Sequence, residues 1–179
     1  MSGVRACPLP GDALLRRHCT AGAHVDCYAT ETPRTVSQAG YVEAFYTTPL
    51  FRSERLVLRW LASLPSTDVQ ARQLAAGASD TFAAWRVEAR TSRQLLLRDV
   101  TGRTRSWLMT MPLDGGDDGE GCAGTRLYFG SAIVPVTDPR SSQPTLGFPY
   151  RWLLGAHAVY SRRLLRAARS RLESGADRG

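Results

Sequence analysis

Between Asp80 and Val136 the chain alternates apolar and polar residues in short successive runs, joined by connections too brief to hold a helix. Runs of period two that follow one another this closely pair antiparallel, and a sheet with an apolar face must cover that face. Helical patterns flank the block, from Thr35 to Gly77 before it and from Phe148 to Leu172 after it. The order predicts an α+β fold: a curved antiparallel sheet gripping a long C-terminal helix, with a helical block between the first and second strands.

The individual runs support five strands. His24, Asp26 and Tyr28 alternate with Val25, Cys27 and Ala29 in the first. Phe82 to Arg90 sets Ala83, Trp85, Val87 and Ala89 against Arg86, Glu88 and Arg90. Gln94 to Asp99 carries Leu95 and Leu97 on one side, with Leu96 interrupting the polar side. Arg103 to Pro112 opposes Trp107, Met109 and Met111 to Ser106, Leu108 and Thr110, and Thr125 to Val136 presents Leu127, Phe129 and Ile133 on one face. Thr91-Ser92 and Val100-Thr101-Gly102 are hairpin turns by length and residue type.

The helices announce themselves by their ends. One begins near Val36, with Tyr41, Ala44 and Phe45 on a face. Thr48 then suits an N-cap with Pro49 at the first helical position, where a missing N–H is harmless. Ser66 suits the cap of a third helix, with Asp68 in its first turn and Gly77 at its exit. The last helix has Ala158, Leu165, Ala168 and Leu172 on its apolar side, extended by Tyr160 and Leu164. Five arginines from Arg162 to Arg171 occupy its other surface, which reads as a solvated face, since no aromatic residues interleave with them to stack bases.

Several functions are excluded by residue type or spacing. All 23 basic residues are arginine, which removes Schiff-base and other lysine chemistry. Cys7, Cys19, Cys27 and Cys122 show no paired spacing for zinc, and read as free thiols in a reducing cytoplasm. The acidic loop from Asp114 to Gly124 lacks the ligand spacing of a calcium-binding loop, so no metal is expected. There is no glycine-rich phosphate loop, hence no cofactor, and Ser106 lacks a nucleophile-elbow context. The first residues do not form a secretion signal, and no window is apolar enough to span a membrane, so the expected location is the cytoplasm.

The segments VEAFYTTPLFRSERLVLRWLA, TFAAWRVEAR, RQLLLRD, RTRSWLMTMP, TRLYFGSAIVPV and FPYRWLLGAHAVYSRRLLRAA, in this order, resemble the START-like helix-grip proteins of the polyketide-cyclase and lipid-transfer superfamily, including uncharacterised bacterial members. The resemblance is one of architecture over residues 23 to 172. It implies a cavity between the sheet and the last helix. Residues 1–22 are then a peripheral or disordered N-terminal segment, 23–173 a single START-like domain, and 174–179 a disordered tail.

Within that frame His157 and Tyr160, three positions apart on a helix, are candidates to face the cavity, with His157 as a proton carrier or as a packing histidine. Arg105 reads either as an anchor for a ligand carboxylate or as a charge emerging past the sheet edge. Trp85, Trp107 and Tyr128 are candidate walls, or ordinary core. Glu54 among Arg52, Arg55 and Arg59 reads as a surface charge cluster. The expected function is binding of a small apolar or amphipathic molecule between sheet and helix. Alternatives are a cofactor-independent cyclase or lyase acting on a bound carbonyl compound, and an interaction domain with a solid core.

Overall fold

Short polar turns make spatial neighbours of successive strands, and the computed structural model shows the result. It describes residues 3–20, 22–52, 66–113, 124–134 and 150–174, the last with side chains from 158. Seven strands form one curved antiparallel sheet: β1 (Arg5–Ala6), β2 (His24–Thr32), β3 (Thr81–Phe82), β4 (Trp85–Arg90), β5 (Gln94–Asp99), β6 (Thr104–Leu113) and β7 (Gly124–Ile133). Their spatial order is β1-β2-β7-β6-β5-β4-β3.

This order dictates the path of the chain. After β2 the chain leaves the sheet, passes through α1 (Gln38–Tyr46) and α2 (Asp68–Ala75), and re-enters at the far edge as β3. It then meanders back through β4, β5 and β6 until β7 pairs with β2. The last helix, α3 (Tyr150–Ser174), returns to the concave face and packs on α1, β2 and β7. The helical block and the C-terminal helix stand where the sequence order sets them.

Two strands exceed the five expected. β1 is two residues long, too short for a period to show. Phe82 to Arg90, read as one run, divides at Ala83-Ala84 into β3 and β4, and Ala83 adopts φ 51° to make the turn. The caps follow local chemistry. Thr48 Oγ1 accepts from Phe51 N at 3.2 Å, as an N-cap should. Thr67 caps α2 instead of Ser66, because Gln70 completes a reciprocal capping box with it. Residues Ser53 to Pro65, with Glu54, Arg55, Arg59 and the expected remainder of the second helix, and the acidic stretch Asp114 to Ala123 lie outside the described residues.

Both faces of the sheet are covered. On the concave side Tyr28, Leu95, Leu97, Leu108, Leu127 and Phe129 meet α1 and α3. Tyr41 of α1 donates its hydroxyl to Tyr128 O at 3.0 Å, and Gln38 Nε2 donates to Leu108 O at 3.2 Å. On the convex side Cys27, Leu96, Trp107, Met109 and Tyr128 lie under a 3₁₀ helix, Leu14–His18. Gly130 makes this closeness possible: a Cβ there would stand 2.9 Å from Leu15 Cδ2 and 3.0 Å from Trp107 Cε3.

Candidate functional site

Strand register places a line of side chains across the middle of the concave face. Asp26 of β2 opposes Ser131 of β7, Ser131 opposes Ser106 of β6, and Ser106 opposes Leu97 of β5. The adjoining line carries Tyr28, Phe129, Leu108 and Leu95, which fill the space below α1. Two serines side by side cannot fill the same depth that Phe129 and Leu108 fill next to them. A cavity of about 310 Å³ results.

Phe45 and Phe51 from the helical block, Trp85 from β4, Phe129 from β7, and Tyr160 and Leu164 from α3 wall this space. Phe45 and Phe129 pack with ring centroids 4.9 Å apart, which holds one wall rigid. Ala84, Asp99, Thr104 and Arg105 complete the lining, drawn from the β3–β4 turn and the β5–β6 hairpin.

The hydroxyl groups of the floor are oriented by their neighbours. Ser131 donates its hydroxyl proton to Asp26 Oδ1 at 2.6 Å, and Ser131 N donates to the same oxygen at 3.1 Å. Ser106 Oγ lies 3.2 Å from the hydroxyl of Tyr46, within hydrogen-bond distance. A serine held by a carboxylate is not thereby an activated nucleophile, because a carboxylate is far too weak a base for an alcohol.

Of the residues singled out from the sequence, Trp85 and Tyr160 line this cavity. Trp107 and Tyr128 lie on the other face, in the cluster below the 3₁₀ helix, with ring centroids 6.1 Å apart. Strand alternation requires this, since Ser106, Leu108 and Phe129 take the concave side. Arg105 borders the cavity, but strand alternation draws its guanidinium to Glu88, on the face that carries Trp107. Nη1 donates to Gly102 O at 2.7 Å, and Nε sits 2.6 Å from Glu88 Oε2 in an ionic contact whose N–H is not aligned as a hydrogen bond. The side chain of His157 lies outside the described residues, so its pairing with Tyr160 rests on helical spacing.

The sequence pattern singled out Ser106 only to set it aside as a nucleophile, and gave no prominence to Ser131, Asp26 or the His18–Glu88 pair. Strand alternation sets Glu88 opposite Val87, on the convex face, and the register shift between Val87 and Ala89 brings Ala89 to that face as well. There Glu88 Oε1 meets His18 Nε2 at 2.6 Å, tying the 3₁₀ helix to the sheet. A signal for the serines did exist: inward positions of β6 and β7 pass from Leu108 and Phe129 to Ser106 and Ser131, a local loss of side-chain volume.

No family model, no curated protein and no solved structure matches this chain. Among the described residues no helix is long and apolar enough to cross a membrane.

Proposed function

We propose that this protein binds a small apolar or amphipathic molecule in the cavity between the sheet and α3. The observation that carries this reading is the side-by-side pair Ser106 and Ser131, which opens about 310 Å³ beneath aromatic walls. That volume falls at the lower end of the range of small-molecule pockets, about 300–1,000 Å³. The apolar part of the ligand packs against Phe45, Trp85, Phe129 and Leu164. Its polar end lies over the two serines, whose side chains line the floor.

The rim supports a neutral polar group over a carboxylate. Arg105 is committed to Gly102 O and Glu88, while Asp99 beside it accepts from Thr101 Oγ1 and Thr104 N. The START-like resemblance belongs to the same proposal, supported by the helix-grip element order and by a cavity on the gripped side.

Titration with a neutral solvatochromic dye tests it, together with native mass spectrometry of the purified protein. The wild type should take up one dye saturably. Ala84→Trp, which places an indole at the cavity lining without touching the core, should weaken binding about tenfold or more, a loss of about 1.4 kcal/mol. Saturable binding that Ala84→Trp leaves unchanged, or no saturable binding, would overturn the proposal.

A further inference from the structure

The convex face carries a pair of reactive groups unrelated to the cavity. Cys7 follows β1 directly, and the register Arg5↔Ala29, Ala6↔Tyr28 continues to set Cys7 opposite Cys27 of β2. Cys7 N donates to Cys27 O at 3.0 Å, so the pairing extends to these residues. Opposed residues of antiparallel strands have Cα atoms about 4.5–5.5 Å apart, within the span of about 4.4–6.8 Å that a disulfide bridges. The two Sγ atoms lie 3.5 Å apart.

We propose that Cys7 and Cys27 are a covalent modification site: under oxidising conditions they form an intrachain disulfide that bonds the N-terminal segment to the sheet. The two thiols have unequal access. Cys7 is half-buried, whereas Cys27 is buried at 5% exposure. Burial, and then the neighbouring Cys7, push the Cys27 thiol well above the usual thiol range. Cys7 is therefore the group that meets the oxidant, and Cys27 the group that resolves.

With glutathione disulfide as oxidant the electrons balance in two exchanges. The Cys7 thiolate attacks one sulfur, forming a mixed disulfide and releasing one glutathione thiolate. Cys27 gives its proton to solvent and attacks Cys7 Sγ, releasing the second glutathione. Two protein thiols are oxidised and one small disulfide is reduced. The closed loop contains the 3₁₀ helix, with Leu15 under Gly130 and His18 on Glu88, so the bond retains the cover of the convex face.

The test is exposure of the full-length chain to glutathione disulfide, followed by acid quench, intact mass and peptide mapping. The expected product has lost two hydrogens, contains a Cys7–Cys27 crosslinked peptide, and shows complete loss of alkylation at both residues while exposed Cys19 still alkylates. Cys7→Ser should abolish the crosslink and Cys19→Ser should leave it. A persistent glutathione adduct on Cys7 with Cys27 still reduced overturns the inference. So does a bond from either residue to Cys19 or Cys122, or the absence of reaction.

Discussion

The indole Nε1 of Trp107 donates to the side-chain oxygen of Gln94 at 2.9 Å, with both residues buried at 0% and 6% exposure. The same oxygen accepts from Leu14 N at 2.9 Å, and Gln94 Nε2 donates to Asp12 O at 3.1 Å. One amide side chain thus joins the convex face of the sheet to the segment that covers it. Replacing it with an apolar side chain, Gln94→Leu, strands the buried indole N–H and the half-buried Leu14 N–H. A buried donor left unpaired costs about 1–3 kcal/mol and the half-buried one about 1 kcal/mol, so urea unfolding should show a loss of about 2–4 kcal/mol with an unchanged m-value. A loss under about 1 kcal/mol would mean the cover does not depend on this amide.

Gly130 is the second point of that seam. A methyl group there meets Leu15 Cδ2, Asp26 O and Trp107 Cε3, all at 2.9–3.0 Å, and neither a strand carbonyl nor a buried indole can retreat. Gly130→Ala should destabilise by about 1–3 kcal/mol. The penalty should shrink when Leu15 is also truncated to Ala, a coupling that a double-mutant cycle reads directly. Additive losses would show that the 3₁₀ helix does not press on this glycine.

Ala83 holds φ 51°, a left-handed conformation that costs an L-residue about 1–2 kcal/mol. Glycine removes that strain and returns part of the gain as chain entropy. Ala83→Gly should therefore raise stability by about 0.5–1 kcal/mol, seen as a higher melting temperature. A lower one would place this residue outside the left-handed region.

Tyr41 gives the protein an alkaline limit. Its hydroxyl is wholly buried, and burial foremost holds its pKa well above the usual 10.0. Above pH 10.0 the unfolded chain releases this proton while the folded chain retains it. Its stabilising contribution is thus full below that pH and declines above it, by up to about 1.4 kcal/mol per pH unit. Tyr28, raised mainly by burial, adds to the decline. Tyr41→Phe should make the alkaline slope shallower by about one proton while costing about 1–2 kcal/mol at neutral pH, since Tyr128 O loses its donor. An unchanged alkaline slope would remove Tyr41 from this account.

The polarity of the cavity predicts an order among simple ligands. In dye displacement, a straight-chain alcohol should act at about a tenfold lower concentration than the carboxylate of equal length, because the Asp26 carboxylate already stands beside the floor and Arg105 is occupied. The reverse order would show that a cation reaches the bound head group.

Strand alternation was legible residue by residue, down to the partition of β6 into two faces. Which face encloses space was not. Trp107, Met109 and Met111 form the bulkier side of β6, and bulk marks solid core, whereas the cavity lies over Ser106 and Thr104. Leu96 was the hint that both faces are buried, since it breaks the polar side of β5 and ends at 0% exposure on the convex face. Ala83-Ala84 escaped notice because a turn without glycine or asparagine looks like continuing strand. Thr67 displaced Ser66 as a cap through Gln70, a distinction visible only when the third residue of the helix is weighed with the first.

The outermost strands of the sheet, Arg5–Ala6 and Thr81–Phe82, are two residues each. Each of these two strands offers a visiting chain only a stub of ladder to extend, and Arg5 on one of them adds charge, two of the devices by which sheet borders discourage strand addition from copy to copy.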